Sequence, residues 1–132
     1  MTPDTEQGDM LLLLRETVVE LVRRDGPDLT ARQMAVFLTV YLTDGPHTVR
    51  GLAAKLRVSK PAITRALDRL GDLDFARRKP DPTDRRSVQV QQTRAGSAFL
   101  RDVGRLMTQA AQDSAARRSE PMEDAPSRSR AG

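Results

Sequence analysis

The chain of 132 residues has no cysteine, no tryptophan and a single histidine, and its aromatic content is 3%. The absence of cysteine excludes disulfides, thiol redox centres and cysteine-ligated metals, and it suits the reducing cytoplasm, where we expect the protein to act. A site with several histidines is excluded too, so we expect no metal and no cofactor. Few aromatic rings leave little for the bases of single-stranded nucleic acid to stack on.

Long apolar runs are also missing. The longest, Met10 to Leu14, is too short to span a bilayer, and the residues before it are acidic, whereas a secretory signal begins with basic residues. The sequence has no glycine-rich phosphate loop, no arrangement of nucleophile and base, and no internal repeat. We therefore expect a protein that is not exported, not inserted in a membrane and not an enzyme.

Positive charge is concentrated in one third of the chain. Residues 48–94 carry twelve basic and five acidic side chains, a local net charge of +7, whereas residues 1–47 have a net charge of −4. Such a concentration is typical of a surface that faces phosphate groups. A solvated charged face would explain the charge at least as well, so the pattern of residues must decide.

Capping residues divide the first part of the chain into helices. Asp9 is predicted to cap a first helix over about residues 10–24. Thr30 opens a capping box and a second helix that runs to about Leu42. We expect His47, which follows a Gly-Pro pair, to lie in a surface loop.

Two short helices joined by a tight turn come next. Thr48 is predicted to cap a helix over Val49–Leu56, and Ser59 a helix over Lys60–Asp72, with a turn at Arg57 and Val58 between them. In the later helix the apolar residues recur at spacings of three and four and must face the core. By subtraction the outward face carries Lys60, Pro61, Thr64, Arg65 and Asp68. Such a helix start can bond phosphates through its amides and present side chains to the major groove.

A hairpin follows these helices. Residues 75–78 and 87–91 alternate weakly as strands and bracket a proline-rich tip at residues 79–86. Helix, turn, helix and hairpin together form the pattern of a winged helix-turn-helix, so we expect a mostly α fold with a small β-hairpin. Duplex DNA is the partner that this pattern favours.

Helices at both ends of the chain indicate a dimer. The first helix has an apolar stripe too wide for a single core contact, which implies two packing partners. Thr93 is predicted to cap a last helix over about residues 94–116, whose apolar residues step by four, three and four as in a coiled-coil seam. The predicted dimerisation residues are Leu11, Leu12, Leu14, Val18, Phe99, Val103 and Leu106.

The sequence from about residue 30 to 100 resembles the MarR family of bacterial transcriptional regulators. The spacing from helix to wing matches the family throughout this stretch. The residues that carry the resemblance are Leu52-Ala53-x-x-Leu56-x-Val58-Ser59-Lys60-Pro61-Ala62-Ile63-Thr64-Arg65-x-Leu67-Asp68-Arg69-Leu70, then Arg77-Arg78-x-x-Asp81-Pro82-x-Asp84-Arg85-Arg86, then Thr93-x-x-Gly96.

This resemblance implies a homodimer that binds a pseudo-palindromic operator in double-stranded DNA and acts as a repressor. It also implies that Arg86, oriented by Asp84, reaches the minor groove from the wing tip. Many family members release DNA when a small molecule binds between the dimer helices and the DNA-binding lobe, so a small-molecule effector is expected as well. No residue here forms a ligand signature, and the ligand-binding residues stay unknown. The predicted DNA-binding residues are Thr48, Arg50, Arg57, Ser59, Lys60, Pro61, Thr64, Arg65, Arg78, Asp84, Arg85 and Arg86.

Three departures from the family pattern affect these expectations. Asp74 stands where the family usually has glycine, and we expect it to keep the turn because aspartate tolerates left-handed backbone angles. Gln92 replaces an apolar residue, which puts the packing of that strand end in doubt. Many members have a further C-terminal helix where this sequence is polar, so we expect the first helix to supply more of the dimer contact.

The predicted organisation has five parts. Residues 1–8 are disordered, 9–26 form a dimerisation helix, 30–92 the winged helix-turn-helix, 93–117 a second dimerisation helix, and 118–132 a disordered tail. The alternative function is a winged-helix module that binds protein and has no specific affinity for DNA. The basic outward residues Lys60, Arg65 and Arg86 argue against that alternative.

Overall fold

The computed structural model describes residues 4–119, and for Arg118 and Ser119 the backbone only. The described part confirms the predicted class, since it is mostly helical with one small antiparallel sheet. Its elements are α1 (Thr5–Arg23), α2 (Ala31–Leu42), β1 (His47–Thr48), α3 (Val49–Leu56), α4 (Lys60–Asp72), β2 (Ala76–Asp81), β3 (Asp84–Gln92) and α5 (Arg94–Ser119).

The predicted caps of α2, α3 and α4 are confirmed. Thr30 Oγ1 accepts a hydrogen bond from the amide of Gln33 at 3.1 Å, and Gln33 Oε1 accepts one from the Thr30 amide at 2.9 Å. Thr48 caps α3 and Ser59 caps α4 in the same way. Each hydroxyl satisfies an amide that has no carbonyl partner within its helix, so these starts are determined locally.

The first helix begins earlier than predicted. Asp4 is its N-cap, with Oδ1 accepting from the Gln7 amide at 2.7 Å, so Asp9 lies inside α1. Residues 5–8, predicted to be disordered, are helical. The apolar stripe starts only at Met10, which is why periodicity missed the first turn. Residues 1–3 and the tail from 120 onward lie outside the described residues.

The sheet has strand order β1-β3-β2, and all pairs are antiparallel. Both hairpin strands extend into the predicted tip, which leaves Pro82 and Thr83 between them. The Asp81 carboxylate closes this short turn by accepting bonds from the amide of Thr83 at 2.9 Å and from its hydroxyl at 2.8 Å. Pro80 is tolerated in β2 because β2 is an edge strand and the register shifts directly after Pro80, at Asp81.

The core lies between α2, α4, the sheet and the start of α5. Phe37 is fully buried and its ring contacts those of Tyr41, Phe75 and Phe99, at centroid distances of 4.6, 5.9 and 5.3 Å. The core is completed by apolar residues that include Val36, Val40, Leu52, Ile63, Leu67, Leu70 and Val90.

His47 is buried, contrary to the expectation of a surface loop. It belongs to β1 and pairs with Val90, and its Nε2 lies 3.1 Å from the carbonyl oxygen of Thr43. The pairing of β1 with β3 accounts for this burial, which the preceding Gly-Pro pair did not indicate.

The predicted seam of the last helix packs inside the chain. Phe99 stacks on Phe75 at 4.6 Å between centroids, and Val103 is 7% exposed. Val103 is therefore buried within the chain and the half-buried Phe99 contacts the aromatic core, because the apolar side of α5 faces both α1 and the winged helix; their part in a dimer stays a prediction. Leu106 is half-buried.

Candidate nucleic-acid interface

The outward face of α4 is the centre of the candidate site. Residues that the spacing predicts to face the core, including Ile63 and Leu70, are fully buried. The five predicted to face outward, Lys60, Pro61, Thr64, Arg65 and Asp68, are all exposed. Ser59 binds the Ala62 amide at 3.2 Å, and Pro61 in the first turn has no amide proton to satisfy. The start of α4 thus presents positive charge and helix-dipole field together.

Three further candidates surround α3. Thr48 is half-buried, and its hydroxyl caps α3 by accepting from the Gly51 amide at 2.9 Å. Arg50 is exposed in the first turn. Arg57 ends the helix with a left-handed backbone, φ 57° and ψ 45°, and its amide bonds back to the carbonyls of α3. This conformation turns the chain sharply from α3 into α4 and leaves the Arg57 side chain in solvent.

The wing tip holds the remaining candidates. The Asp84 carboxylate accepts a hydrogen bond from the backbone amide of Arg86 at 3.0 Å. Asp84 therefore orients Arg86 through the main chain, and the Arg86 side chain is exposed beside Arg85. Across the turn, the Thr83 amide lowers the pKa of Asp81, with the Thr83 hydroxyl as the next cause. Both carboxylates of the tip are thus used to shape its backbone.

Arg78 connects the wing with α4. Its Nη2 donates to Asp68 Oδ1 at 2.7 Å, so the base of β2 touches the outward face of the helix. The neighbouring Arg77 pairs locally with Asp74, at 3.5 Å between Nε and Oδ1. The contact between Arg78 and Asp68 was not predicted, because the two residues are ten apart and lie on different elements.

A junction of hydrogen bonds behind the wing, formed by the hydroxyls of Tyr41 and Thr93, was not predicted from the sequence either. The Tyr41 hydroxyl donates to the carbonyl of Phe75 at 2.7 Å and accepts from the Thr93 amide at 2.9 Å. The Thr93 hydroxyl donates to the carbonyl of Asp74 at 2.6 Å and accepts from the Gly96 amide at 2.9 Å. The junction joins α2, the start of the wing and the start of α5. Only the cap on α5 was visible in the sequence.

Asp74 and Gln92, the two departures from the family pattern in this region, do not disrupt the local fold. Asp74 has φ 59°, so it takes the left-handed conformation expected of it. Gln92 does not pack apolar surface, but its Nε2 donates to the Val40 carbonyl at 3.2 Å. That bond attaches the end of β3 to α2 in place of a hydrophobic contact.

The apolar surface of α1 lies away from these residues. Leu11, Leu14 and Val18 are 50%, 59% and 47% exposed, whereas Leu12 is half-buried. A groove of about 510 Å³ runs along this surface between α1, α2 and α5. A second cavity, of about 560 Å³, lies between α1 and α2 and reaches Phe99. Leu11, Leu14 and Val18 are thus more exposed than the half-buried Phe99 and the buried Val103.

Within residues 4–119 no cluster of three or more histidine, cysteine or acidic side chains could hold a metal ion. In the same residues no helix is both long enough and apolar enough to cross a membrane.

Comparison with known families gives one match that coincides with the site. Residues 29–88 match the model of the MarR family, a range that includes α4, β2 and the first half of β3. Over 64 residues the chain is 34% identical to an uncharacterised HTH-type transcriptional regulator of Mycobacterium leprae. That match covers 48% of this chain and 45% of the relative, so the chain spans about half the length of the curated protein it matches.

Solved structures share the architecture. A mutant of MarR from E. coli, complexed with operator DNA, is 29% identical with a TM-score of 0.60, and the match covers 82% of this chain and 71% of that one. A mutant of MepR from S. aureus superposes with a TM-score of 0.72 at 17% identity, covering 91% and 86% of the two chains. The second likeness is one of fold alone. The first extends to sequence.

Proposed function

We propose that the protein is a sequence-specific regulator of transcription that binds double-stranded DNA, since residues 29–88, which include the helix-turn-helix and most of the wing, match the MarR family model. The observation that carries the proposal is the surface formed by the outward face of α4 and the wing. Both carry exposed basic side chains, and the contact between Asp68 and Arg78 holds them on one side of the molecule.

In the proposed complex α4 enters the major groove. Thr64 and Arg65, one turn into the helix, meet base edges, while Lys60 and the amides at the helix start bind phosphate oxygens. Arg50 and Arg57 add phosphate contacts beside α3. Arg86 enters the minor groove from the wing tip, where its side chain is exposed and the bond from its amide to Asp84 fixes the backbone.

We propose further that the protein acts as a homodimer. The half-exposed leucines and valine of α1 form an apolar surface of the kind that self-association covers. A twofold dimer would place two α4 helices about 34 Å apart, which requires a pseudo-palindromic operator with half-site centres about 10 base pairs apart. Occupying such a site in a promoter would repress transcription, and the protein would act in the cytoplasm, where bacterial DNA lies.

We also propose that a small-molecule effector regulates the protein. The cavity of about 560 Å³ between α1 and α2 has the volume of a small-ligand site, and its lining is mostly apolar. An apolar ligand there would shift α1 against the winged helix and so change the spacing of the two recognition helices. We propose no catalytic activity for the chain.

Selection from a random duplex library tests the proposal and needs no assumption about the operator sequence. The full chain is used to select bound duplexes, and the selected sequence is then measured by electrophoretic shift in excess non-specific competitor. We expect a palindromic consensus that resists competition. A protein that selects no consensus would instead support the alternative of a protein-binding winged helix.

A further inference from the structure

Arg78 differs from the other basic residues of the candidate interface because it has a partner on another element. Its guanidinium donates to the Asp68 carboxylate at 2.7 Å, and the two side chains are 36% and 58% exposed. Among the ion pairs described within residues 48–94, this one joins α4 to the wing, whereas the pair of Arg77 with Asp74 is local.

The pair resolves a charge conflict on the outward face. Asp68 lies one turn beyond Thr64 and three residues after Arg65, on the side of α4 that would face DNA. A free carboxylate there would repel phosphates and oppose binding. The positive charge of Arg78 at hydrogen-bond distance largely cancels that repulsion. The same contact occupies the guanidinium of Arg78, which leaves it less able to bind a phosphate.

The pair also restricts how the hairpin can move. At its start the wing is attached through the Phe75 amide, which donates to the Leu70 carbonyl at 2.8 Å, and through the buried Ala76. On the other strand, the pairing of β3 with β1 attaches the hairpin to the rest of the domain. Neither attachment ties β2 to the outward face of α4. The bond from Arg78 to Asp68, two residues beyond Ala76 along β2, makes that connection and so helps to define where Arg86 lies relative to α4.

We propose that Arg78 and Asp68 are positioning residues, which set the spacing between the major-groove helix and the minor-groove arginine, and that Arg78 is not a phosphate contact. The inference rests on the proposed function, because that spacing matters only to a protein that contacts both grooves. It removes Arg78 from the DNA-binding residues predicted from the sequence. It also makes an acidic residue on the recognition helix necessary for tight binding.

The two possible roles of Arg78 predict opposite behaviour for Asp68. If Arg78 bound a phosphate, removing the carboxylate in Asp68→Asn would strengthen binding, and the effects of the two substitutions would add. If the pair is a positioning contact, each single substitution weakens binding about three- to tenfold, and the double variant is no worse than either one.

The salt dependence of DNA binding distinguishes the two possible roles of Arg78 without relying on the affinity itself. Each phosphate contact that is lost lowers the slope of log K against log salt by about 0.9 for duplex DNA. We therefore measure binding of the selected duplex at several salt concentrations for wild type, Asp68→Asn, Arg78→Gln and the double variant. Arg77→Gln is the control, since it removes the same charge from the adjacent residue, which does not contact α4.

The expected result is an unchanged slope for the double variant, which removes both charges of the pair, together with the non-additive losses described above. A slope lower by about one, or tighter binding by Asp68→Asn, would overturn the inference. Hydrogen exchange of the free protein adds a test that needs no DNA: residues 79–88 should exchange faster in both single variants and to the same extent. Unchanged exchange in both would overturn the positioning role even if the wild type selected no DNA, an outcome that would itself reject the proposed function.

Discussion

The hydroxyl group of Tyr41 fills the space that a side chain at residue 96 would need. Gly96 lies in the first turn of α5, and a Cβ atom there would overlap both the Tyr41 hydroxyl and the carbonyl oxygen of Phe75. The hydroxyl cannot withdraw without breaking its bonds to Phe75 and Thr93. Glycine is required here because Tyr41 and Phe75 approach so closely. Its backbone angles do not require glycine, since they are those of an ordinary helix.

Gly96→Ala should therefore destabilise the protein although alanine is the better helix former. We expect a loss of about 1–3 kcal/mol in the free energy of unfolding, as for other overpacked sites. Gly104→Ala in the same helix is the control, because nothing lies within 4 Å of a Cβ there, and it should gain up to about 1 kcal/mol. Urea unfolding at one protein concentration measures both. Equal stability of the two variants would contradict the steric account.

Arg86 should contribute to specific binding and not to folding. Its side chain is exposed at the wing tip, so Arg86→Ala should leave the unfolding midpoint unchanged while weakening operator binding by about 1–3 kcal/mol. Asp84→Ala removes the acceptor for the Arg86 amide and should cause a smaller loss in the same assay. Full operator affinity in Arg86→Ala would exclude the wing tip from recognition.

Arg65 and Arg57 should affect binding in different ways. Arg65→Ala should relax the preference for particular base pairs, whereas losing the charge of Arg57 should weaken all sequences alike. Because Arg57 has a left-handed backbone, the suitable substitution is Arg57→Asn, which tolerates φ 57°. Binding to a series of operator mutants measures both effects. A uniform loss for Arg65→Ala would assign it to the phosphate backbone.

The dimer proposal predicts a contrast between two exposed leucines. Leu14 in α1 is 59% exposed within the apolar groove, and Leu42 at the end of α2 is 65% exposed. Leu14→Ser should weaken self-association by about 1.5–3 kcal/mol per copy, the value of one buried leucine, while Leu42→Ser should not. Sedimentation at several concentrations compares the two variants. If Leu42→Ser dissociated the dimer and Leu14→Ser did not, the assignment of the interface to α1 would be wrong.

Much of this architecture could be predicted because its signals are local. The hydroxyls of Thr30, Thr48, Ser59 and Thr93 cap the helices that follow them, and each bond spans three residues. The spacing of Ile63, Leu67 and Leu70 assigned the inner face of α4 correctly, and that assignment left its basic side outward. The candidate site was therefore found from the sequence as a set of exposed residues. How these residues are held together was not.

The amino-acid sequence is enough to predict the order of helices and hairpin, the buried face of α4 and the region where positive charge collects. Which apolar faces pack within the chain, and which stay exposed, depends on how the whole chain folds. Phe99 and Val103 have the spacing of a dimer seam, yet Val103 is buried in its own chain and Phe99 is half-buried against Phe75, while Leu11 and Leu14 are exposed. The physical reason is that periodicity reports only that a helix face avoids water. The identity of its partner, like the contact of Arg78 with Asp68, depends on elements brought together by folding.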